Sequence, residues 1–133
     1  MDKERIDRLL PLAYEAISKS DIPDEERRVT KTFRSYISSF GASVCMGSLL
    51  AAIAFFSDQG GAKHDRSKLL EAIFRVLQAD DVIPGHYETL YDWAKEETGI
   101  GNGNHCKEAV IQAAVAIKLA LNLYPLDKKE NAQ

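Results

Sequence analysis

The chain has 133 residues, 45% hydrophobic and 28% charged, a balance that fits one globular domain and excludes an intrinsically disordered segment. Seventeen basic residues against 20 acidic ones leave a net charge of −3, so no overall positive field draws in a polyanion. Any contact with nucleic acid must therefore come from a local patch. Cys45 and Cys106 lack the spacing of a zinc or redox motif and read as free thiols of a reducing compartment. With no signal-peptide pattern at the N-terminus, the expected location is the cytoplasm.

Taken in chain order, Ile6, Leu9, Leu10, Ala13 and Ile17 repeat at the spacing of one helix face over residues 3–19. Pro11 falls inside that pattern and predicts a kink, or a break near Leu10. Ile22-Pro23 makes a turn. Asp24, Glu25 and Glu26 then read as the acidic first turn of a second helix, where the helix dipole favours carboxylates. That helix enters an uncharged segment, Ser35 to Ser57, of 23 residues. Its length would suit a membrane span, but six serines and the glycines at 41 and 47 argue against one. The better reading is a hairpin or broken helix bending near Gly47, with a third helix at about 48–56.

Gln59-Gly60-Gly61 is a predicted loop. Leu70, Ile73, Phe74 and Leu77 mark a fourth helix, with Asp65 or Ser67 as its cap. Asp80 to Gly85 is a turn. Tyr87, Leu90, Tyr91 and Ala94 line a fifth helix that ends at Gly99. GIGNGN is a loop, after which Asn104 is the candidate cap of a last helix reaching about Tyr124. Between Ala109 and Leu121 that helix carries one charge, Lys118, so it should be buried nearly all round. The expected fold is an all-α single-domain bundle of five to six helices without a sheet, over residues 1–125. Residues 126–133 are expected to form a flexible tail.

The second helix carries the most chemistry. At 100° per residue, Arg27, Lys31 and Arg34 fall within about 60° of one another, with Arg28 at the margin. Val29, Phe33, Tyr36, Ile37, Phe40 and Val44 take the opposite arc. Beyond the cations the same outer face turns small, through Ser35, Ser38, Ser39, Gly41, Ala42 and Cys45. Such a stripe can meet a phosphate backbone at one end and a closely packed neighbour at the other. The plainer alternative is a solvated charged face, screened by Glu25 or Glu26, whose small residues touch another helix of the same bundle. Lys63, Arg66 and Lys68, with His64, form a second basic group before the fourth helix.

Other motifs exclude chemistries rather than suggest them. GIGNGN follows a helix and lacks both the Gly-Lys-Ser/Thr ending and the dinucleotide glycine spacing. His105, Cys106, Asp65 and His86 contain no pair at helical metal-ligand spacing, and Asp80-Asp81 fits a helix-ending turn. No serine or cysteine has an identifiable base. The expectation is therefore a protein that is not an enzyme, with no metal and no cofactor.

FRSYISSFGASVCMGSLLAAIAFFSDQG, preceded by RIDRLLPLAYEAI and followed by EAVIQAAVAIKLALNLY, resembles the CRISPR-associated Cmr small subunit, the fifth Cmr protein of type III-B RNA-targeting effector complexes. The likeness extends over most of the chain in the same order, including Ile53-Ala54-Phe55 in place of a Leu-Ala-Phe block. One departure is Gly47-Ser48-Leu49, where many members have a polar residue followed by Gly-Leu. The resemblance implies a non-catalytic helical protein acting in antiviral defence. It implies several copies stacked beside guide RNA and target RNA, in contact with other Cmr effector subunits. The RNA-binding candidates that match are Arg27, Lys31 and Arg34, with Arg28, Lys63 and Arg66 beside them. Ser38, Gly41, Ala42 and Cys45 are the candidate subunit interface. A helical protein–protein adaptor or self-assembling scaffold that never touches RNA is the competing expectation.

Overall fold

A computed structural model describes residues 2–58 and 65–127. Six helices follow one another: α1 (Lys3–Ser18), α2 (Lys31–Met46), α3 (Leu49–Ser57), α4 (Ser67–Ala79), α5 (Leu90–Gly99) and α6 (Gly103–Leu121). No strand occurs among the described residues, and the sole β-type pairing there is a parallel bridge between Val29 and Leu126. The fold is an all-α bundle. The α6 helix forms its centre, packed on α1, α2, α4 and α5. Small side chains permit this: Ala113, Ala116 and Ala120 are fully buried, so neighbouring helices approach closely on several sides. Lys118 and Leu119 are its exposed residues in the last turn. The expectation of burial nearly all round is met.

Side-chain caps start most helices. Asp2 accepts from the backbone amides of Glu4 and Arg5, Thr30 from Phe33, Ser48 from Ala51, and Thr89 from Asp92. Each satisfies an amide that has no partner within the helix. Asp65 does the same for Ser67, as its sequence position suggested. The α6 helix begins earlier than expected. Asn102 takes the cap position and Asn104 lies inside the first turn. Tyr87 lies outside α5, which starts at Leu90.

Two expectations about breaks resolve differently. The uncharged segment divides at Gly47, between α2 and α3, as expected. A β-carbon there would lie 3.1 Å from the backbone oxygen of Ser43, so the tight junction favours glycine. Neither half is long enough to span a bilayer, and no helix among the described residues is long and apolar enough to do so. By contrast, α1 continues through Pro11 as one helix, so of the two expected outcomes, a kink or a break near Leu10, the break does not occur. Pro11 is on its exposed side. Leu9, Ala13, Ala16 and Ile17 hold the opposite side in the core.

The largest correction concerns the start of α2. Residues 24–28 form a turn rather than a helix. The Asp24 carboxylate accepts from the backbone amides of Glu26 and Arg28 at 2.9 and 2.8 Å. Arg27 adopts φ +63°, a left-handed conformation that closes a turn and cannot continue a helix. The Val29 amide donates to the Pro125 carbonyl, and the Asp127 amide donates to the Val29 carbonyl, both at 2.9 Å. This pairing pins the chain in extended form just before Thr30. It also fixes residues 126 and 127, which were expected to belong to the tail. Residues 128–133 lie outside the described residues.

Candidate RNA and subunit interface

With α2 beginning at Lys31, the four-cation stripe shortens. Lys31 and Arg34 remain on the helix, on the same outward arc as Ser35, Ser38, Ala42 and Cys45. Phe33, Ile37, Phe40 and Val44 are buried on the other side, which agrees with the expected division of the helix. Lys31, Arg34, Ser35, Ser38, Ser39 and Leu126 line an open groove. The side chain of Lys31 is exposed and forms no ion pair among the described residues.

Several other candidate cations are occupied within the molecule. Arg28 pairs with Asp24 at 3.1 Å and with Glu26 at 3.3 Å. The amides of Arg28 and Glu26, with the Arg28 guanidinium, hold the Asp24 carboxyl below its ordinary range despite some loss of hydration. Arg27 lies over the ring of Tyr124 at 5.5 Å and donates to the Ser18 hydroxyl at 3.0 Å. Arg66 stacks on Phe55 at 4.4 Å and donates to the Asp58 carbonyl at 2.7 Å, closing the C-terminal end of α3. Lys63 lies outside the described residues. A single continuous ridge of Arg27, Arg28, Lys31 and Arg34 is therefore not formed. Helical spacing placed these residues together, but the turn at 24–28 separates them.

Arg34 is engaged within the molecule as well. One terminal nitrogen donates to the carbonyls of Leu121 and Tyr124 at 3.3 Å each, at the C-terminal end of α6. Its buried Nε has no hydrogen-bond partner among the described residues. At the other end of the helix pair, Lys107 in the first turn of α6 reaches the carbonyls of Cys45 and Gly47 at 3.4 and 3.5 Å. The two helices thus cap one another reciprocally, each placing a cation at the negative end of its neighbour.

The small residues of α2 face outward. Ser38, Ala42 and Cys45 are exposed, and a β-carbon at Gly41 would meet nothing within 4 Å. The alternative in which they touch another helix of the same bundle is not what the fold shows. Met46, at the end of α2, is 90% exposed, and in α3 Ala51, Ala54 and Phe55 are exposed as well, Phe55 by 62%. From Ser35 to Ser57 the chain contains no Asp, Glu, Lys, Arg or His, although Arg66 from the neighbouring α4 end lies on the Phe55 ring.

Residues that the sequence motifs set aside have structural roles. Asp80 accepts from Arg5 and Arg8, both at 3.1 Å, which ties the end of α4 to α1. Cys106 is buried, and that burial pushes its thiol up to about 11, with Glu97 adding to the shift. Among the described residues, no group of three or more His, Cys, Asp or Glu side chains is placed to hold a metal. Comparison with protein-family models, curated proteins and solved structures finds no match.

Proposed function

We propose that this protein is a non-catalytic helical subunit of a cytoplasmic ribonucleoprotein, of the type III-B Cmr kind that its sequence resembles. In that reading it stacks with other Cmr subunits and further copies of itself along guide RNA and its target, in antiviral defence. The observation that carries the proposal is the outer face of α2. Two cations at its N-terminal end give way to exposed small residues, Ser38, Ala42 and Cys45, that its own bundle leaves uncovered. Small side chains let a neighbouring backbone approach closely, and none of these carries a charge that must lose its hydration. The Lys31–Arg34 end supplies phosphate contacts that position RNA without reading its sequence. With two contacts in place of four, the affinity of the assembled protein for single-stranded RNA should fall with salt at a log–log slope of about −1.4.

Purification of the tagged chain from its own cells tests the reading. Guide-length RNA and an RNA-guided nuclease subunit should co-elute with it. Lys31→Glu should reduce the RNA while keeping the proteins, and Ala42→Arg should release the proteins. Recovery of the chain without RNA, but with a salt-insensitive protein partner lost in Ala42→Arg, would favour the adaptor that never touches RNA.

A further inference from the structure

On a different part of the molecule, α3, α4 and the start of α5 enclose a cleft of about 230 Å³. Its floor is apolar, from Ile53, Leu70 and Phe74, and Tyr91 stands at its edge, 39% exposed. Two carboxylates, Glu71 and Glu88, flank it. Glu88 has no ion pair among the described residues. Among the described residues Glu71 pairs with Lys68, at 3.7 Å, and Lys68 also reaches Asp21 at 3.6 Å. None of these residues belongs to the α2 groove.

The volume decides what kind of occupant fits. Cofactor and drug-sized ligands occupy roughly 300–1,000 Å³, so this cleft suits one large side chain rather than a whole cofactor. Its charge decides the flanks of that occupant. Glu88, without an ion pair among the described residues, and Glu71, which shares Lys68 with Asp21, attract cations next to an inserted apolar group and oppose acidic ones.

We infer that this cleft docks a basic protein segment, which inserts one leucine-sized side chain between Glu71 and Glu88 and sets neighbouring lysines or arginines against those carboxylates. The interaction is separate from the proposed RNA groove and does not depend on it. A partner contacting α4 and α5 in this way would leave the outer face of α2 free.

Titration of the isotopically labelled full chain, followed by amide NMR, tests the inference. The probes are the peptide amides acetyl-Lys-Leu-Lys and acetyl-Glu-Leu-Glu. The basic peptide should give saturable shifts centred on Ile53, Leu70, Phe74 and Tyr91, and bind at least fivefold tighter than the acidic one. The double variant E71Q/E88Q should remove that preference while keeping the dispersed spectrum of the folded chain. Absence of saturable shifts in the cleft, or equal binding of the two peptides, would overturn the inference. So would phenethylamine binding there as tightly as the basic peptide, which would assign the cleft to small amines. Shifts that grow with protein concentration alone would assign it to a second copy and overturn it as well.

Discussion

At the scale of single residues, the same charge has different consequences depending on what it touches. Arg34 holds two carbonyls at the end of α6, whereas Lys31, one helical turn earlier, is solvated. Hydrogen bonds from charged donors contribute about 1.5–3 kcal/mol, so Arg34→Ala should lower unfolding stability by about 2 kcal/mol. Lys31→Ala should leave it within about 0.5 kcal/mol. Urea denaturation of the two variants checks this, and equal midpoints would contradict the capping role of Arg34. An RNA-binding test that changes Arg34 therefore also changes the fold, and Lys31 is the cleaner probe. The two thiols divide similarly. Cys45 is exposed and Cys106 buried, so a thiol reagent should label one site in the native protein and two in denaturant. Because burial raises the Cys106 pKa, its contribution is fully present below the unfolded thiol's value of 9.0 and is lost as pH rises through about 11. Cys106→Ala should flatten that alkaline loss, measured as denaturation midpoint against pH.

At the scale of elements, local signals and tertiary ties compete. Periodicity located α1 and α4, whose apolar faces are directed at the core, and the nearly charge-free run from Ala109 to Leu121 located α6. The sequence pattern misplaces the start of α2. Asp24-Glu25-Glu26 read as its acidic first turn, whereas Thr30, which is not among the expected caps, caps the helix. What favours Thr30 is non-local: Val29 pairs with the chain at Pro125 and Asp127. The use of Arg27, Arg34 and Arg66 to bind rings and carbonyls was hidden for the same reason, since their partners lie far along the chain or depend on how a turn closes. The face of α2 was legible; which of its cations stay in solvent was not. Thr30→Ala should cost about 1 kcal/mol by removing the cap. Pro11, which α1 tolerates on its exposed side, lacks an amide donor in mid-helix. Pro11→Ala should therefore raise stability by about 1–3 kcal/mol in a thermal melt, and an unchanged midpoint would mean that tertiary packing already absorbs the cost.

For the whole molecule, the mutual caps of α2 and α6 bear on how the bundle comes apart. Arg34 and Lys107 tie the opposite ends of one helix pair. Fraying at either terminus strips a cation from the far helix, so the two segments should open as one cooperative unit. Deuterium uptake would record it: backbone amides near Val44 and Leu121 should become accessible at matching rates, with Lys107→Met accelerating both ends together.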